Sequence, residues 1–181
     1  MLKKLFPPEG NQKGFTLVEL LVAIAITGII SLVIIGVTLQ VITVNSADSN
    51  RMDAVKQVEN ALHWINRDAQ MAWPSSILPG DNTTTSFPLF LKWTDYSDDP
   101  SEENMQYEVT YIINPDGVLE RAQTVNAGAI SYTYICGNIN STNSNYNFNG
   151  EVLTINLTST VEGLRSATET RTLQVKPRTT H

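Results

Sequence analysis

The apolar residues of this chain are gathered in one block. Residues 15–44 are almost all hydrophobic, and residues 20–37 carry no charge, with Thr27 and Ser31 their only polar side chains. At 1.5 Å per residue those eighteen positions span roughly 27 Å of helix, close to the ~30 Å hydrocarbon core of a bilayer. After Asn45 the spacing changes. Met52, Val55, Val58, Leu62, Ile65 and Ala69 recur every three or four positions, while Arg51, Asp53, Lys56, Glu59, Asn60, Arg67 and Asp68 take other faces. This is the pattern of an amphipathic helix that buries one stripe. Trp73-Pro74 ends it, because the residue before a proline is driven out of the α region. A helix unbroken from near Phe15 to near Ala72 has about 58 residues and a length of roughly 87 Å, more than a small domain encloses.

Beyond the helix the pattern turns to β. Strands are expected at residues 87–93, 106–113, 118–125, 129–135, 151–158 and 168–175. Tyr107, Val109 and Tyr111 alternate with Glu108 and Thr110, so one face of that strand is buried. Asn114-Pro115-Asp116-Gly117 is a turn that returns the chain into the next strand. Residues 137–150, rich in Asn and Ser, read as a polar loop. The expected fold is α+β: a long N-terminal helix, transmembrane in its first half and amphipathic in its second, packed on one antiparallel sheet of four to six strands. The divisions are 1–14 as a leader, 15–44 as the membrane segment, 45–73 as the amphipathic half and 74–181 as the β-rich domain.

Charge refines this picture. The chain carries a formal −6, yet its first fourteen residues are net basic, with Lys3, Lys4 and Lys13 against Glu9. An acidic body argues against nucleic acid as a direct ligand. The apolar run exceeds the 7–15 residues of a secretory signal and no A-x-A site closes it, so the helix is retained. Lysines before the span and mixed charges after it (Asp48, Arg51, Asp53) place the N-terminus in the cytoplasm and the domain outside, periplasmic or extracellular.

Glu19 is the anomaly, since a carboxylate at the head of an apolar run is costly in lipid. The string K-G-F-T-L-V-E-L, residues 13–20, resembles the processing and methylation site of type IV prepilins and of the pseudopilins of type II secretion. That resemblance implies cleavage after Gly14 by a prepilin peptidase and N-methylation of Phe15. It also gives Glu19 a partner, because the new α-amino group on Phe15 of an adjacent subunit neutralises the carboxylate. Pro7-Pro8 would obstruct a helix in the leader. Gly28 and Gly36, eight apart, mark close helix packing. The helix, the Y-x-V-x-Y and D-G-x-L-x-R hairpin (Tyr107, Val109, Tyr111; Asp116, Gly117, Leu119, Arg121) and the final strands look like the J-type minor pseudopilin or its minor pilin relatives. The family resemblance implies a lollipop-like fold. Gly36 stands where major pilins commonly have a proline, and the cysteine pair frequent in major pilins is missing.

Other chemistry is sparse. Asp95, Asp98, Asp99, Glu102 and Glu103 are weak calcium candidates in an acidic loop that lacks the EF-hand spacing, and no cofactor is otherwise expected. His63 lies on the amphipathic helix and His181 at the terminus, so a histidine site has little support. Cys136 is the lone cysteine, which excludes an intramolecular disulfide. Asn82, Asn140 and Asn156 start N-x-S/T triplets that read as composition. No Gly-rich phosphate loop and no nucleophile–base pair is present, so the chain is expected not to be an enzyme. The expected function is that of a structural minor pilin or pseudopilin. Its partners would be the prepilin peptidase, other pilin subunits, an inner-membrane assembly platform and membrane lipid. The alternative is a membrane-anchored binding domain, an adhesin or uptake receptor.

Overall fold

The computed structural model describes residues 14–77, 85–96 and 103–178. One helix, α1 (Leu17–Met71), is followed by antiparallel sheets, an α+β pilin-like arrangement. The chain divides into two compact units after Val44.

In the first unit the helix satisfies its own polar atoms. Each interior N–H and C=O is paired along the segment, as the hydrocarbon of a membrane requires. The hydroxyls of Thr27, Ser31 and Thr38 donate to the carbonyls of Ala23, Thr27 and Ile34 at 2.7–2.8 Å, and that of Thr43 to Leu39 at 2.5 Å. The apolar side chains have no such closure. Those from Leu17 to Val44 are all exposed in the single chain, and the helix is long and apolar enough to cross a membrane.

The second unit holds a core of its own. Along α1 the residues Ala54, Val58, Ala61, Ile65, Asp68 and Ala69 are buried, the stripe that the three- and four-residue spacing calls for. Met52, expected on that stripe, is exposed, because burial begins only at Ala54. The helix stops before Trp73-Pro74, where a single 3-10 turn, Pro74–Ser76, takes over.

The strands are β1 (Thr85–Ser86), β2 (Leu89–Asp95), β3 (Met105–Ile113), β4 (Leu119–Val125), β5 (Ser131–Cys136), β6 (Asn145–Phe148), β7 (Leu153–Val161) and β8 (Ala167–Val175). They form two four-stranded sheets, ordered β2-β3-β4-β5 and β1-β6-β7-β8, where the sequence suggested one. The second sheet exists because residues 137–150 are not a plain loop. Asn145-Tyr146-Asn147-Phe148 alternates, and Tyr146 and Phe148 turn inward and are buried. Ile139 joins the sheets: its N–H donates to the Gly117 carbonyl at 2.8 Å, and it bridges to Ser159 of β7. Gly117 takes φ 74° in the β3–β4 turn, and an added Cβ would stand 3.0 Å from the Ile139 carbonyl. Both the turn and the close approach therefore call for glycine. Leu89, Leu91, Val109, Leu119, Leu153, Ile155 and Leu157 fill the core beneath Val58 and Ile65, each worth about 1.5–3 kcal/mol when fully buried.

Candidate assembly site

The helix begins with a reciprocal cap. Gly14, Phe15 and Thr16 precede it in non-helical backbone. The Glu19 N–H donates to Thr16 Oγ1 at 3.2 Å, while the Thr16 N–H and hydroxyl donate to Glu19 Oε2 at 2.9 and 3.0 Å. This is a capping box, with Thr16 at N-cap and the acid three residues on. Within its own chain Glu19 is thus held by Thr16, not by Phe15, whose ring is 90% exposed. The sequence expectation that Glu19 needs a partner does not include Thr16, although a T-x-x-E before an apolar run is the signal of such a cap. Farther along, Gly28 and Gly36 have nothing within 4 Å of where a Cβ would stand, leaving room for a close neighbour.

A second polar constellation lies deep in the domain. Asp68, expected on a solvated face, is buried at 2% exposure. Arg121 Nε donates to its Oδ2 at 2.6 Å, and the Tyr111 hydroxyl donates to the same oxygen at 2.7 Å. Arg67 approaches Oδ1 at 3.4 Å from the surface. Trp64 lies beneath both guanidinium groups, 4.4 Å from Arg67 and 5.7 Å from Arg121, within the range of cation–π attraction. Burial, followed by the neighbouring Asp68 charge, pushes the Tyr111 hydroxyl well above its ordinary range, so it stays a donor. These groups tie α1 to β3 and β4 across the core.

The remaining candidates do not converge. Cys136 is buried and its thiol is pushed up to about 12 by burial, which keeps it protonated and inert. His63 is exposed, and His181 lies outside the described residues. Asp95 ends β2 and Glu103 precedes β3, both exposed, while Asp98, Asp99 and Glu102 lie outside the described residues. Among the described residues no three His, Cys, Asp or Glu side chains gather as a metal-binding group. An open groove of about 550 Å³ is lined by residues including Asp116, Asn138, Asn140 and Glu162. It offers carboxylates and amides without a nucleophile–base pair.

No curated protein and no solved structure matches the chain. A family model, the prokaryotic N-terminal methylation motif, matches residues 10–38, the stretch that holds Gly14, Phe15, the capping box and both membrane glycines. The chain therefore carries, at the head of a helix fit to anchor it in a membrane, the signal of a type IV pilin-like protein processed by prepilin peptidase.

Proposed function

We propose that this chain is a structural subunit, a minor pilin or pseudopilin, of a type IV pilus or type II secretion-like filament. Cleavage follows Gly14, Phe15 becomes the methylated N-terminus, and the domain beyond Asn45 faces the periplasm or the exterior. In the filament the Phe15 amine of one subunit pairs with the Glu19 carboxylate of the next. One observation carries the reading: the methylation motif leads straight into a helical stretch, Leu17 to Val44, whose apolar side chains are all uncovered in the single chain. Such a surface needs lipid before assembly and neighbouring helices after it. The pairing is supported by cost, since a charge stranded without its partner in a low-dielectric setting is strongly destabilising. A minor place agrees with Gly36 at the position where major pilins commonly carry proline, and the resemblance of the β3–β4 hairpin to the J-type subunit agrees with it too.

Intact-mass measurement of the protein from its native membrane tests this. The expected mass is that of a chain beginning at methylated Phe15. A chain retaining residues 1–14, or one cut near Ala47, would overturn the proposal.

A further inference from the structure

Of the strands that border the two sheets, three are covered or short. Trp73 and Ser76 meet β2, Asn60 and Gln57 of α1 meet the end of β5, and β1 is two residues long. The fourth, β8, is nine residues long and pairs with β7 alone, in unbroken register from Leu153↔Val175 to Val161↔Ala167. Which of its backbone groups are free follows from the hydrogen bonds of β7. The Thr158 N–H donates to Ser144 Oγ at 3.1 Å, the Thr158 carbonyl accepts from the Asn140 N–H at 2.8 Å, and the Thr160 N–H donates to the Asn138 carbonyl at 2.9 Å. These groups point away from β8. Opposed residues of an antiparallel ladder exchange both bonds or neither, so Thr170 and Thr168, the partners of Thr158 and Thr160, turn their N–H and C=O groups outward. Alternation adds Thr172. None of these groups has a partner among the described residues. The strand also holds no proline, lysine or bulge, the devices that blunt an exposed edge.

The side chains of β8 add selectivity. Glu169 and Arg171 share the face turned to α1, where Arg171 donates to Glu59 at 2.7 Å and to Glu169 at 3.2 Å. Thr168, Thr170 and Thr172 occupy the exposed face. We propose that β8 is a docking edge for an extended strand of a different subunit, running antiparallel to β8, with an acid opposite Arg171 and a base opposite Glu169. Main-chain bonds supply the affinity and the two charges set the register. A second copy of this chain fits the charges and not the anchorage. Pairing β8 with β8 about a two-fold axis turns the packed half of α1 end for end, and two copies anchored by their N-terminal ends in one membrane cannot both adopt it. That exclusion rests on the membrane role proposed above, whereas the open edge stands without it.

The test titrates the full chain in detergent micelles with a fluorescent peptide of residues 166–175. This probe is its own antiparallel complement: across Thr170, Glu169 falls opposite Arg171 and Arg171 opposite Glu169. Saturable binding is expected by anisotropy, with amide exchange slowed at Thr168, Thr170 and Thr172. The same peptide carrying Glu169→Arg and Arg171→Glu has equal composition but sets like charges opposite each other, and it should bind about tenfold more weakly. In the chain, Thr170→Pro removes an outward donor and no ladder bond. It should abolish peptide binding and leave the domain folded, read by its denaturant midpoint; if it unfolds, the pair of peptides still decides. Equal binding of the two peptides, or binding without slowed exchange at the three threonines, overturns the proposal. A full chain that dimerises on its own, with Thr170→Pro dispersing the dimer, overturns it too by giving the edge to a second copy. No outcome depends on cleavage or methylation, so failure here is distinct from failure of the filament reading.

Discussion

The two units handle polar atoms in opposite ways, and the contrast explains what each is for. Along residues 17–44 every side-chain hydroxyl turns back onto its own helix, and the apolar surface points outward with nothing to cover it. In the domain an apolar core is covered, and its buried polar side chains, Asp68, Arg121, Ser144, Thr158 and Ser159, include a carboxylate satisfied by residues far along the chain. The first unit satisfies its side-chain hydroxyls within its own helix and leaves its packing open. The second packs its own core and satisfies its buried carboxylate, with Ser159 Oγ the buried side-chain atom left unpartnered among the described residues. On the proposed function, assembly falls to the first unit and folding stability to the second.

This division is open to attack by substitution. The largest effect is expected from Glu19→Ala, which should abolish filament entry while leaving the denaturant midpoint of the domain unchanged; a loss of domain stability in the detergent-solubilised protein would contradict the separation. Asp68→Ala should do the reverse within the domain. It leaves Arg121 buried without its carboxylate and should cost about 3–5 kcal/mol, read by chemical denaturation of the full chain. Tyr111→Phe, which removes one hydrogen bond to the same charged group, should cost about 1.5–3 kcal/mol. Gly28→Leu meets open space in the single chain. It should insert normally and reduce incorporation to a smaller degree than Glu19→Ala, measured as the ratio of filament to membrane-retained subunit.

Cys136 gives the smallest effect, through pH. Its pKa rises from 9.0 to about 12 on folding, so above pH 9 the unfolded chain loses a proton that the folded chain keeps. Stability contributed by the neutral thiol is present below pH 9 and is lost as pH climbs toward 12. Cys136→Ala should flatten the decline between pH 9 and 10, before the tyrosines add theirs. The native thiol should also resist alkylation until the domain unfolds.

The parts legible in sequence are those with local causes. The helix and its end at Trp73-Pro74, and the 114–117 turn with Gly117, each follow from neighbours a few positions away. The pairing of β3 with β4 also follows, since the turn returns the chain directly beside the strand that precedes it. Asp68 did not. The helical period puts it on the stripe with Ala61 and Ile65, but its charge argued for solvent, and the partners that reverse that argument, Tyr111 and Arg121, stand 43 and 53 residues away. Strand β6 of the second sheet is hidden by composition, because the asparagines around Tyr146 and Phe148 mask an alternation only four residues long. At the helix start, the string that marks processing is plain, while the hydrogen bonds between Thr16 and Glu19 needed coordinates to show.

The edges of the β2-β3-β4-β5 sheet have a consequence for life among many copies. At β5 the side chains of α1 close the open backbone: Asn60 donates to the Ile135 carbonyl at 2.7 Å, and Gln57 accepts from the Gly137 N–H at 3.0 Å. At β2 the chain after the helix does the same, with the Trp73 N–H on the Lys92 carbonyl and Ser76 Oγ receiving the Lys92 N–H. An unguarded edge recruits strands from other molecules, and subunits crowded side by side would zip their sheets into disordered aggregates. By setting its own helix against one border and the turn that follows the helix against the other, the chain makes its sheet a poorer template for strands from its neighbours.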